Sequence, residues 1–552
     1  MASNVEQAAR VSGMARWRWT RAAVLLAGAS LSCASGPRAA VSAPRAPAAA
    51  GAAVDPDDRG LGFAWFSGSV DEALAASRAQ RRPLFLYWGA VWCPPCLALK
   101  HEVFPAAAFA ERMRSFIPVH IDGDAEDAQR WADRFAVASY PAMLVLDADG
   151  HERMRLLGAA ELGEVDAALA AALREGSDLR ERAAEAQRQP EALSASDWTL
   201  LSLTTWVDAA NEPPGGFAPV LATVAALAER VPRAEVEAAA RLAGAALQLA
   251  ADFPGDRAGA GTLIGAVAGR CAGLLDAMLG GPRQVLAARG PILEASAAIE
   301  QLCRPAVGAG LGDRLVAAAR SLGADPTLPV EVRIEARIPE AALWRQAHGG
   351  AAPSPEARRR IVDEVQALLA LPGEAALRHT VVDAASSALR AAGDEDGARA
   401  VLLAELPRSR VPWYILGELA AIAGDRGDVD EALRRSAEAV GAAAGRATQI
   451  QWRVAELKLL LKLRPGVADA ELLPRLRGLY ERMSALPDGY AGRNRRRLKL
   501  IAAALPPAAV AVRPALRALL VEERARCAGL PADRRAVCEG HFDGLLRPAG
   551  PG

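Results

Sequence analysis

Residues 83–96, Pro-Leu-Phe-Leu-Tyr-Trp-Gly-Ala-Val-Trp-Cys-Pro-Pro-Cys, constrain this chain more than any other stretch. An apolar run over 84–88 reads as a buried strand. It runs through a short turn into Cys93 and Cys96 at the mouth of a helix beginning near Leu97. Pro105 is expected to break or kink that helix, which resumes to about Arg114. A Cys-x-x-Cys pair between strand and helix is the arrangement dithiol chemistry requires. The two sulfurs lie one helical turn apart, and the first faces the unpaired N–H groups and positive end of the helix, which favours its thiolate. Pro94 and Pro95 are tolerated in a first turn but remove two of those donors. A Cys-x-x-Cys can also be half a zinc site. No second pair stands at zinc spacing and the histidines are scattered, so no metal and no cofactor are expected.

With 552 residues the chain is too long for one core, and two to four domains are expected. Hydrophobic content of 52% leans on alanine, and aromatics at 5% favour helices over sandwiches. Lys+Arg 65 balances Asp+Glu 65, which leaves no basic footprint for nucleic acid. The seven cysteines are too sparse for a disulfide scaffold. With Cys33 set aside, six remain as sequence neighbours, which suits an oxidising compartment. Cys271 with Cys303, and Cys527 with Cys538, either pair or remain buried thiols.

Four segments follow. Residues 1–33 carry Arg16, Arg18 and Arg21 before a short apolar run at 22–31, the pattern of a secretory signal, with Met14 an alternative start. The run is too short to span a bilayer. Ala29-Ser30-Leu31-Ser32-Cys33 resembles the lipobox of bacterial lipoproteins, although leucine stands two residues before the cysteine rather than three. That resemblance implies lipidation at Cys33, a membrane tether and a periplasmic location; the alternatives are plain cleavage or an uncleaved anchor. Residues 34–58 are Ala/Pro/Gly-rich and read as a disordered spacer. Residues 59–175 alternate strand and helix patterns in the order β-α-β-α-β-α-β-β-α, with strands at 62–68, 84–88, 116–122, 142–146 and 153–157. Residues 176–548 lose strand patterns and show recurring alanine-rich amphipathic segments, expected to stack as antiparallel helix pairs.

Two motifs, Trp92-Cys93-Pro94-Pro95-Cys96 and Val137-Ala138-Ser139-Tyr140-Pro141-Ala142-Met143-Leu144-Val145-Leu146-Asp147, make residues 59–175 resemble the thioredoxin superfamily, and Tyr87-Trp88-Gly89-Ala90 makes them most similar to its periplasmic thioredoxin-like domains. The fold class is therefore an α/β thioredoxin-like domain followed by a large all-α, solenoid-like region. The resemblance implies a thiol–disulfide oxidoreductase acting on protein disulfides, with an unknown electron donor or acceptor. Cys93, the more exposed sulfur, would attack, and Cys96 would resolve the mixed disulfide. Pro141, if cis, would hold a ledge for an extended substrate segment. Trp92 would flank the dithiol as an apolar surface, and Tyr140 would face the sulfurs. Trp92 and Tyr140 could equally be packing residues. One departure matters: where many thioredoxins have a buried aspartate six residues before the nucleophile, this chain has Tyr87. Lys100 is expected on the solvent face, so no proton acceptor for Cys96 is named.

Gly393-Asp394 and Gly427-Asp428 open similar segments 34 residues apart, and Trp413, Leu416 and Gly417 fit the start of a tetratricopeptide repeat, so the helical region resembles that repeat class. A generic helical domain with two similar turns is the alternative. Such a surface suits a protein partner. The rival to an enzyme is accordingly a scaffold whose helical region binds a partner while the thioredoxin-like fold serves as a non-catalytic binding module.

Overall fold

The computed structural model describes residues 61–547, apart from 91, 159, 175, 177, 208–215, 254–256 and 374–376. The signal, lipobox and spacer readings, Cys33 included, lie outside the described residues. Helix α1, Val70–Gln80, opens on a capping box whose Ser-x-x-Glu pattern is local in sequence: the Ser69 hydroxyl accepts from the Glu72 backbone and Glu72 accepts from the Ser69 N–H. Strand β1, Leu84–Gly89, is buried along its whole length, as a strand covered on both faces must be. Helix α2, Pro94–Ala98, starts three residues earlier than expected, with Cys93 as its N-cap. It runs into a π turn, Leu99–Val103, before the Pro105 break. Helix α3, Ala107–Met113, strand β2, Ile117–Asp122, helix α4, Ala128–Arg134, strands β3, Ala142–Leu146, and β4, Glu152–Leu157, and helix α5, Leu162–Ala172, complete the unit.

The sheet order is β2-β1-β3-β4. β1 pairs parallel with β2 and antiparallel with β3, and β4 returns antiparallel along β3 with an irregularity at Val145/Leu146. The strand expected at 62–68 is not a strand. The segment lies beside β2, where Phe66 N–H donates to the Pro118 carbonyl at 2.7 Å. Pro118 has no N–H to return, so a ladder cannot propagate there. A second correction concerns Lys100, which is 4% exposed rather than solvent-facing. It sits in the π turn, whose extra residue rotates side chains out of α-helical phase.

From Leu179 onward the described elements are helices. The helix pairs Arg378–Ala392 with Glu395–Glu405, and Pro412–Asp425 with Val429–Ala442, share one turn geometry. Gly393 and Gly427 adopt φ of 83° and 81°. Asp394 and Asp428 then cap the next helix through Gly397 and Glu431 N–H at 3.3 and 3.0 Å. Two disulfides, Cys271–Cys303 and Cys527–Cys538, tie neighbouring helices together.

The core of the first unit does not stop at its last helix. It runs on through Trp198, Leu242, Trp413, Tyr414 and Trp452 of the helical region. The edge of β4 is covered as well: Thr205 N–H donates to the Arg155 carbonyl at 3.1 Å, and its Oγ1 accepts from Leu157 N–H at 3.0 Å.

Candidate active site

The register places the site. Gly89 of β1 lies opposite Asp122 of β2, and Trp88 lies opposite Ala142 of β3. The chain leaving β1 toward Cys93, the turn leaving β2 through Asp124, and the Tyr140–Pro141 segment entering β3 therefore meet at one edge of the sheet. The Tyr140–Pro141 bond is cis. The Trp92 and Tyr140 rings stand 6.5 Å apart across this edge. Cys93 and Cys96 are paired, with Cα atoms 5.1 Å apart. All five residues singled out in the folded part of the sequence are thus brought together.

Their surroundings differ from expectation. Cys93 and Cys96 are both 0% exposed, Trp92 2% and Tyr140 1%, so neither sulfur is the exposed one. The physical reason is a cover supplied from far along the chain. Helix Arg378–Ala392 packs against α2. Thr448, at the start of helix Arg446–Leu463, donates its N–H and its hydroxyl to the Asp124 carboxylate, each at 3.3 Å. Helix Gly492–Ala504 lies against α4. There the Gln129 amide bridges the two regions: its Nε2 donates to the Gly123 carbonyl at 2.9 Å, and its Oε1 accepts from Arg493 N–H at 2.9 Å. Gln129 N–H donates to Asp488 at 2.8 Å.

Asp124 is the polar centre of this edge. Its Oδ2 accepts from the Trp92 indole at 2.9 Å, and its Oδ1 lies 3.9 Å from the Arg493 guanidinium. Burial pushes the Asp124 carboxyl up, against the pull of Arg493. Burial likewise raises the Tyr140 phenol. Arg493 itself is 3% exposed, its guanidinium 5.1 Å from the Tyr140 ring centre and 6.0 Å from that of Trp92.

Tyr87 takes the position where a buried carboxylate was looked for. It is enclosed by aromatic rings, with centroids 4.8 Å from Phe104, 5.0 Å from His120 and 5.8 Å from Trp65. Asp124, Gln129, Thr448 and Arg493 were not singled out by sequence reasoning. Asp124 and Gln129 follow β2 within ordinary turn and helix composition. The other two are separated from the dithiol by hundreds of residues, so no local pattern marks them.

Comparison with protein-family profiles matches residues 70–173 to the thioredoxin-like domain. Among curated proteins, the thiol:disulfide interchange protein DsbD of Ralstonia nicotianae (strain ATCC BAA-1114 / GMI1000) is 30% identical over 114 residues, 20% of this chain. The chain spans only 19% of that relative's length. The sheet order, the dithiol at the sheet edge and the profile match agree: residues 70–173 form a thioredoxin-like domain, and a large helical region follows it.

Proposed function

We propose that this protein is an exported thiol–disulfide oxidoreductase that exchanges disulfides with protein substrates through Cys93 and Cys96. The observation that carries the reading is the cysteine pair at a thioredoxin-like sheet edge beside Pro141. In the reducing direction the Cys93 thiolate attacks one sulfur of a substrate disulfide, forming a mixed disulfide and expelling the other sulfur as thiolate. Cys96, once deprotonated, attacks Cys93 Sγ, releasing the second substrate thiol and leaving the Cys93–Cys96 disulfide. An external dithiol, oxidised in turn, would return the pair to the reduced state. Trp92, Tyr140 and Pro141 would line the substrate ledge. Pairing of the other four cysteines supports an oxidising compartment, and Cys33 would supply the lipid tether to a membrane.

Insulin reduction coupled to a dithiol tests the reading. The parent should catalyse it, Cys93→Ser should be inactive, and Cys96→Ser should accumulate mixed disulfides; equal rates for parent and Cys93→Ser would sink the enzyme. For the tether, Cys33→Ser should move the protein into the soluble fraction, and unchanged membrane partitioning would count against it. Burial of both sulfurs favours a second reading, a scaffold whose helical region binds a partner and whose dithiol stays closed. A parent that neither reduces insulin nor forms mixed disulfides, yet retains protein partners through the helical region, is its signature.

A further inference from the structure

The edge of the dithiol site carries a charge that nothing in disulfide chemistry requires. Arg493 comes from helix Gly492–Ala504, and its side chain is almost wholly enclosed. Its three guanidinium nitrogens make no hydrogen bond among the described residues. Asp124 is its nearest anion, but at 3.9 Å and with its oxygens already engaged by Trp92 and Thr448. A buried guanidinium held this loosely is expensive unless a further counter-ion can form beside it. The adjoining Asn494 is 0% exposed, and its amide likewise makes no hydrogen bond among the described residues. The polar end of this helix is therefore short of partners in the oxidised protein.

The anion would arise one residue along the chain from a ring that this guanidinium faces. The guanidinium lies against the ring of Trp92, the residue before Cys93, and against that of Tyr140, before Pro141. Reduction converts a neutral disulfide into a thiolate and a thiol: protein disulfide plus two glutathione thiols gives the Cys93 thiolate, the Cys96 thiol, glutathione disulfide and one proton. Only the reduced side of that equilibrium carries the new negative charge. Pro94 and Pro95 remove two N–H donors from the first turn of helix α2, which leaves fewer groups of its own to hold that charge.

We propose that Arg493, brought in by the helical region, is the counter-ion of the Cys93 thiolate and sets the redox poise of the Cys93–Cys96 pair. This rests on the thiol–disulfide reading above and assigns the helical region a part in its chemistry. The sign follows. A fixed positive charge in a low-dielectric edge favours the thiolate, lowers the Cys93 thiol and shifts the equilibrium toward the reduced form. Other charged or titratable groups face the same region. Asp122 and Asp124 come from the β2 end and Tyr140 from the β3 end. Lys100 lies in the π turn after the dithiol helix, and Arg496 and Arg497 lie beside Arg493. Lys458 and His379 sit on the covering helices, and Tyr414 on helix Pro412–Asp425. Arg497 gives its guanidinium to Gln451 at 2.9 Å, and Asp124 is the group that competes for Arg493.

Two substitutions in the full chain should therefore act with opposite sign. Arg493→Met keeps the length and removes the charge. It should raise the Cys93 thiol by about one pH unit and shift the glutathione equilibrium about tenfold toward the disulfide, about 30 mV more reducing. Asp124→Asn keeps an oxygen to accept from Trp92 but frees Arg493. It should lower the Cys93 thiol and shift the same equilibrium toward the reduced form. Arg493→Lys should stay near the parent. The Cys93 titration is read from thiolate absorbance of the reduced protein, less that of Cys93→Ser, so the other cysteines cancel. The potential is read from equilibrium with glutathione. Shifts of the same sign in Arg493→Met and Asp124→Asn, or none in either, overturn the proposal. If Arg493→Met does not fold, Asp124→Asn and Arg493→Lys decide it alone. The oxidoreductase reading fails separately, on a parent whose pair titrates and equilibrates normally but reduces no insulin.

Discussion

Two partly buried histidines give this protein a pH dependence that its balanced net charge does not announce. Burial pushes both His379 and His541 down to about 4 from 6.5. Both are thus neutral in the folded protein at pH 7. The sign follows from proton uptake: between about pH 6.5 and pH 4 the unfolded chain binds protons that the folded chain refuses, so stability is full above that window and falls as pH falls through it. At pH 5 the loss is at most about 2 kcal/mol for each histidine. Neither ring nitrogen of His379 has a hydrogen-bond partner among the described residues, so His379→Leu removes no bond identified there. It should be close to neutral at pH 7 and should flatten the slope. Urea midpoints at pH 7 and pH 5, parent against variant, check this; an unchanged slope would mean His379 protonates normally in the fold. His541 differs, since its Nε2 lies 3.1 Å from the Tyr480 hydroxyl, and its replacement carries the loss of that bond as well.

Crosslinks between helices act on the unfolded chain, and their worth follows loop length. Cys271 and Cys303 are 32 positions apart, Cys527 and Cys538 only 11. Chain-entropy arguments assign about 4 kcal/mol to the longer loop and about 3 kcal/mol to the shorter. Replacing each pair by alanine should therefore lower the melting temperature in both cases, more for Cys271/Cys303. A reversed order in calorimetry would place the stabilisation in local packing instead. Helix-turn elements were partly legible from sequence. The Gly-Asp pairs at 393 and 427 were legible as similar helix openings, and the structure gives each a left-handed glycine followed by a capping aspartate, which is a local rule. The strand at 62–68 misled because its aromatic pattern is real, while the failure of its pairing lies in Pro118, on another segment.

Across the whole molecule, the helical region closes over the dithiol edge, and the closeness of fit shows at Gly492. Its φ is 49°, and a Cβ there would come within 2.6 Å of the Gln129 carbonyl oxygen. Gly492→Ala should wedge helix Gly492–Ala504 away from α4, because neither backbone can yield as a flexible side chain would. The expected outcome is several-fold faster alkylation of Cys93 in the reduced protein, followed by mass spectrometry of the Cys93 peptide. A rate equal to the parent's would mean the sulfur is reached by another route.

The local frame was legible in the residues alone: a Cys-x-x-Cys pair between β1 and α2, Pro141 ahead of β3, the capping box at Ser69, and a long helical remainder. These rest on short-range rules, since strand alternation, caps and turn residues act over a few positions. The cover over the dithiol, the inward turn of Lys100, and the meeting of Asp124, Thr448 and Arg493 at its edge emerge only once the chain is packed. Arg493 lies 400 positions from Cys93, within a run of arginines that composition alone would assign to solvent. Its burial depends on which helices stack over the sheet edge, and that is set by packing of faces distant in sequence, which no local pattern encodes.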